Sequence, residues 1–150
     1  MPEIPDLENF SRILNQNFKG KKLLKLKVID NRRFNDSEKE LKKNLENQKL
    51  LSVYRSGKEL RFKFSNDVLM GMHLMLHGDF YLFEKKNLNK FTRVEFYFEG
   101  DKGVALTDWQ RNANIRLNPE EKSGIDAMDA KLNYKALKEI LQSTAMIKRV

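Results

Sequence analysis

From Leu50 onward the chain alternates apolar and polar residues with a period of two, which restricts most of its length to β structure. In Glu59–Phe64, Leu60, Phe62 and Phe64 share one face while Arg61 and Lys63 share the other. Residues 50–54 form the preceding strand, joined to it near Ser56-Gly57. Residues 68–83 are long and apolar enough for two strands bent at His77-Gly78-Asp79. Residues 93–98 and 104–107 make a hairpin across 99–103. Short antiparallel strands in meander order bury their apolar faces only by packing layer on layer. The expected fold is therefore mainly β with flanking helices: a two-layer antiparallel β-sandwich, or flattened barrel, with an N-terminal helix.

Helical periodicity is confined to three places. Over 6–18, Leu7, Phe10, Leu14 and Phe18 recur at spacings of three and four, with Pro5 before them and Gly20 after. Ser37 and Glu40 make a capping box ahead of Leu41 and Leu45. Residues 133–142 carry Leu137, Ile140 and Leu141 on a helical face. Between the first two helices, 23–29 alternates apolar and basic residues and reads as a strand.

The formal charge of +8, from 29 basic against 21 acidic residues, favours a polyanionic partner, nucleic acid ahead of membrane. No apolar run reaches membrane-spanning length, so no membrane partner is expected. There are no cysteines, which excludes disulfides, cysteine nucleophiles and Cys-ligated zinc within these residues and fits a reducing cytoplasm. His73 and His77 stand four apart on a strand-like segment with no third ligand nearby, so no metal site is expected.

The start of the chain, Met1-Pro2-Glu3, is the first candidate for chemistry. Once Met1 is removed, Pro2 is a secondary amine beside a carboxylate, able to attack an electrophilic carbon and form an iminium. Small tautomerases use an N-terminal proline as a base, but there the proline opens a strand, whereas here a helix follows. A rigid lead into that helix would explain Pro2 without any chemistry.

Four segments in one order carry a resemblance. The opening eight residues with their amphipathic helix come first. The others are Leu51-Ser52-Val53-Tyr54-Arg55-Ser56-Gly57-Lys58-Glu59-Leu60, His73-Leu74-Met75-Leu76-His77-Gly78 and Leu106-Thr107-Asp108-Trp109-Gln110-Arg111. Together they resemble the N-terminal catalytic domain of the formamidopyrimidine-DNA glycosylase and endonuclease VIII family. The resemblance implies a bifunctional DNA glycosylase and AP lyase of base excision repair, acting on duplex DNA with oxidised bases or abasic sites. It implies that Pro2 attacks the sugar C1′, that Glu3 serves as acid–base group at the ring oxygen, and that Lys58 contacts the phosphate or damaged base. His73 falls near the damaged nucleotide's phosphate. Asp6 stands where the family usually has glutamate. Leu76 aligns with a methionine and Arg111 with an arginine that fill the gap left by the flipped base. Asn112 replaces the aromatic of that group, and Trp109, out of register with it, reads as core.

The resemblance further implies a monomer in a bacterial cytoplasm, associated with the nucleoid. No cofactor is expected, and zinc only in a C-terminal region beyond these residues. Residues 1–130 are the expected catalytic domain and 131–150 the start of a helical, helix–two-turn–helix domain. The last stretch, 144–150, has no stop signal and reads as cut, so weak or no activity is expected of the 150 residues alone. The rival reading of a different class is a non-catalytic DNA-binding β-sandwich. A basic β domain that binds a protein is a third.

Overall fold

In a computed structural model of the chain, residues 2–120 and 131–142 are described. They divide into two units, 1–119 and 120–150. The expected domain boundary at residue 130 falls in 121–130, outside the described residues, as does the apparent cut at 144–150.

The first unit begins with α1 (Ile4–Phe18), followed by β1 (Leu23–Val28) and α2 (Glu38–Leu45). Then come β2 (Leu50–Ser56), β3 (Glu59–Phe64), β4 (Leu69–His73), β5 (Asp79–Glu84), β6 (Thr92–Phe98), β7 (Lys102–Thr107) and β8 (Asn114–Leu117). Two four-stranded antiparallel sheets result, ordered β1-β6-β7-β5 and β2-β3-β4-β8. Leu23, Leu26, Val94, Phe96, Val104 and Leu106 of the first sheet meet Val53, Leu60, Phe62, Phe64, Met70, Met72 and Ile115 of the second in one core. The expected two-layer sandwich with flanking helices is what forms.

The order is not a simple meander. The run 68–83 does break into two strands at a turn, but they enter different sheets, so the turn at 74–78 crosses from one layer to the other. Gly78 makes that crossing possible: its N–H donates to the Leu74 carbonyl at 2.9 Å, and a Cβ there would lie 2.4 Å from the same oxygen. The turn also separates the two histidines. His73 ends β4 and His77 sits in the turn, so they do not share a strand face.

Helix α1 starts two residues before the expected position. Glu3 is its N-cap, and Pro5 lies inside the first turn, where a missing N–H costs nothing. The Glu3 N–H donates to Asp6 Oδ2 at 2.8 Å, so Asp6 closes the helix start. Leu7, Leu14 and Phe18 are buried, and the Phe10 ring meets Phe80 edge-on at 5.4 Å. Asn15 fixes the helix along β2: its amide donates to the Val53 carbonyl at 2.6 Å and accepts from the Val53 N–H at 2.8 Å. A side chain thereby mimics a neighbouring strand and satisfies both Val53 backbone groups. Helix α2 carries the expected capping box, with Glu40 Oε2 accepting from the Ser37 N–H at 3.1 Å.

Beneath the β2–β3 turn lies a buried ionic cluster. Arg61, 2 % exposed, contacts Glu59 at 2.6 Å and donates to the Pro119 carbonyl at 3.0 Å. Arg116 holds the other Glu59 oxygen at 2.9 Å. In the second unit, α3 (Tyr134–Gln142) forms as expected, with the Ala136 N–H donating to Asn133 Oδ1 at 3.0 Å.

Candidate active site

The docking of α1 on β2 sets the N-terminus beside the β2–β3 turn. That turn has two residues, Gly57 and Lys58, and Gly57 takes the left-handed backbone it requires (φ 59°). Arg55 holds the turn in place: its guanidinium contacts Glu8 of α1 at 2.7 Å and donates to the Gly57 carbonyl at 3.1 Å. Lys58 Nζ consequently meets the Glu3 carboxylate, 3.0 Å from one oxygen and 3.1 Å from the other. Both side chains are about half exposed, so the pair is accessible from outside.

Pro2 lines an open cleft of about 340 Å³ with Asp6, Phe10, Leu76, His77, Gly78 and Asp79. Leu76 comes from the crossing turn, where Met75 has a left-handed backbone (φ 55°). The Met75 N–H donates to His73 Nδ1 at 3.0 Å, so the neutral His73 ring carries its proton on Nε2. The structure thus gathers Pro2, Glu3, Asp6, Lys58 and Leu76 around one end of α1, with His73 bracing the turn that presents Leu76. Once Met1 is removed, amine, carboxylate and ammonium at neighbouring positions can support attack on a sugar carbon, proton delivery to a departing oxygen and neutralisation of a phosphate.

Arg111 lies apart from this group. It lines a different hollow, of about 470 Å³, with Asp30, Arg32, Phe91 and Arg93, and its Nε is 3.4 Å from Asp30. Hydrogen bonding from Arg32, chiefly its side chain, holds the Asp30 carboxyl below its usual value. Buried Arg93, its guanidinium lowered by desolvation, donates to the backbone carbonyls of Asp30, Arg32 and Ala113. The loop bearing Arg111 is fixed by Asp108, a buried carboxylate that accepts from the N–H groups of Gln110 (2.9 Å), Asn112 (2.6 Å) and Ala113 (2.8 Å).

The sequence reading missed Arg55 and Glu8, whose partnership spans 47 residues and leaves no local signal. It also misjudged Trp109. The indole is 56 % exposed and is not part of the core, because Asp108 turns the loop outward just after β7. Among the described residues no three His, Cys, Asp or Glu side chains gather as a metal site, and no helix is long and apolar enough to cross a membrane.

Residues 1–115 match the model of the formamidopyrimidine-DNA glycosylase N-terminal domain. The chain belongs to this family. A formamidopyrimidine-DNA glycosylase of Lactiplantibacillus plantarum is 29% identical over 120 residues, covering 79% of this chain and 44% of the relative. One from Lactobacillus johnsonii is 30% identical over 118 residues, covering 78% and 43%. The chain therefore spans about half the length of the curated relatives it matches. The fold is that of the Lactococcus lactis formamidopyrimidine-DNA glycosylase, seen in a crystal structure bound non-covalently to DNA containing an AP site. That comparison has a TM-score of 0.72 at 23% identity, over 77% of this chain and 45% of the other. A second Lactococcus lactis structure, in complex with a FAPY-dG containing DNA, gives 0.70 at 22% identity, over 77% and 44%. The family match takes in Pro2, Glu3, Asp6, Lys58, His73, Leu76 and Arg111.

Proposed function

We propose that the chain carries the catalytic domain of a bifunctional DNA glycosylase and AP lyase of base excision repair, acting on duplex DNA with oxidised bases or abasic sites. The observation that carries this reading is the Glu3–Lys58 ion pair next in the chain to Pro2, which itself lines an open cleft. With Met1 removed, the Pro2 nitrogen lone pair attacks C1′ of a flipped nucleotide. The glycosidic bond breaks, its own electron pair leaves with the base, which takes a proton from solvent, and Glu3 accepts the proton that the Pro2 nitrogen sheds on attack. Glu3 protonates the ring oxygen as the C1′–O4′ bond opens to an iminium. Loss of a C2′ proton then expels the 3′ phosphate and nicks the strand. The amine attacks only when unprotonated, and an α-amino group titrating near ~8 supplies that form at neutral pH.

Lys58 leaves Glu3 for the incoming phosphate, so the ion pair is a resting arrangement that DNA exchanges for a phosphate contact. Asp6 serves this site through the backbone, by fixing the Glu3 N–H. Leu76 enters the gap left by the flipped base, an apolar wedge in place of lost stacking. Arg111 reaches the DNA from its neighbouring hollow once it lets go of Asp30. No cofactor takes part in these steps.

Borohydride trapping on abasic-site DNA tests the reading, with loss of Met1 first verified by intact mass. A covalent adduct that disappears in Pro2→Gly is expected. A Met-free chain that binds DNA yet gives no adduct would instead be a non-catalytic DNA-binding module.

A further inference from the structure

Next to the Pro2 cleft is a second hollow, of about 330 Å³, lined by His77, Tyr81, Phe91 and Trp109 with Asp79 and Lys90 among its polar residues. We propose that this hollow is a stacking subsite for one unstacked base of the bound DNA; the proposal rests on the DNA-repair reading above.

Its wall is aromatic and outward-facing. Trp109, Phe91 and Tyr81 are all exposed large aromatics, and the His77 ring lies 4.8 Å from Trp109, tilted by 45°. Exposed aromatics scattered singly need no explanation, but several around one concavity mark a binding surface. These are also held in place. Trp109 follows directly on Asp108, whose carboxylate ties down the N–H groups of residues 110, 112 and 113. Phe91 has a left-handed backbone (φ 58°), a conformation that bulky residues rarely adopt, and its carbonyl accepts from the Asp108 N–H at 3.0 Å. The two aromatics are therefore fastened to each other's loops. A rigid aromatic loses little freedom on stacking.

The occupant follows from chemistry and place. His77 and Asp79 line both this hollow and the Pro2 cleft, so whatever enters one continues into the other. A phosphate is disfavoured beside the Asp79 carboxylate, whereas a base offers a π-face to the aromatics and N–H donors to the carboxylate. Lys90 sits among the exposed lining, as a partner for the backbone of the same nucleotide.

The chain has a single tryptophan, so its intrinsic fluorescence reports on Trp109 without labelling. The 150-residue chain is titrated with a duplex carrying one tetrahydrofuran abasic-site analogue, and binding is followed separately by anisotropy of a dye on the DNA. The expected result is quenching of Trp109 that saturates with the anisotropy. Trp109→Leu should weaken binding about tenfold, within the range of one lost stack, while Trp109→Phe recovers most of it. Because stacking releases no counterions, the slope of log affinity against log salt should be unchanged in Trp109→Leu but shallower by about one in Lys90→Ala. Circular dichroism establishes that both Trp109 variants fold. Anisotropy showing binding while Trp109 emission stays constant overturns the subsite and leaves the repair reading intact. Equal quenching by a free nucleotide overturns the assignment to a base within DNA. Absence of both DNA binding and a borohydride adduct overturns the repair reading and the subsite with it.

Discussion

Glu59→Gln removes one charge from an ion pair that has almost no access to water. Arg61 and Glu59 are both nearly fully buried and 2.6 Å apart, and Arg116 adds a second cation at 2.9 Å. Glutamine keeps the shape but leaves the Arg61 charge facing an amide. Breaking a buried pair from one side costs about 3–5 kcal/mol, most of it the isolated charge. Arg61 keeps its bond to the Pro119 carbonyl and Arg116 is partly exposed, which favours the lower end of that range. For a unit of 119 residues, an unfolding entropy of about 2.1 cal/mol/K per residue makes 3 kcal/mol equivalent to roughly 12 °C in melting temperature. Thermal melts followed by far-ultraviolet circular dichroism read this directly. The double variant Glu59→Gln/Arg61→Leu removes the stranded charge as well and should recover most of the loss. A drop of less than about 4 °C in Glu59→Gln, or a double variant no better than the single, would refute the claim that the cost comes from breaking the buried Glu59–Arg61 pair from one side.

Lys58→Gln should change stability by less than about 1 kcal/mol, because its pair with Glu3 is half exposed. The same change should slow borohydride adduct formation about tenfold or more through lost positioning, and equal rates would sever Lys58 from the chemistry. Asp108→Asn presents an amide where backbone N–H groups now find a carboxylate, at a cost of about 2–4 kcal/mol. Hydrogen exchange should show amides 110, 112 and 113 losing protection ahead of the sheets. Tyr97 is pushed up to about 12, by burial first and then by the bond its hydroxyl donates to Glu95. A raised folded value stabilises fully below the unfolded value near ~10, and that contribution disappears as pH rises from there to about 12. Urea melts across this window should show a steeper decline for the parent than for Tyr97→Phe.

Most of the sandwich was legible because its strands are half-buried and therefore alternate. The hairpin of β6 and β7 and the β2–β3 turn were evident from Gly100, Gly103 and Gly57 set between alternating runs. β8 was not expected: it is four residues long, and only its pairing with β4 makes Asn114–Leu117 a strand. The sheet partners of β4 and β5 were equally hidden, because which layer a strand joins depends on a turn geometry that alternation does not encode. At the site, Pro2, Glu3 and Lys58 were legible through sequence motifs, and the structure brings them together. Arg55 and Asp108 act through buried bonds to backbone and to distant carboxylates, which no spacing announces. Trp109 misled for the opposite reason: a large apolar residue near a strand end is ordinarily buried, and only the Asp108 bonds turn it outward.

The bond from the Glu3 N–H to Asp6 has a kinematic consequence. The peptide joining Pro2 to Glu3 is planar, and its Glu3 end is fixed to the helix. The pyrrolidine ring fixes the nitrogen relative to its own Cα. One rotation remains, about the Cα–C bond of Pro2, and it carries the nitrogen around a circle whose centre α1 sets. A reactive atom on such a path searches a line instead of a volume, so little entropy is left to lose when it meets a carbon lying on that circle.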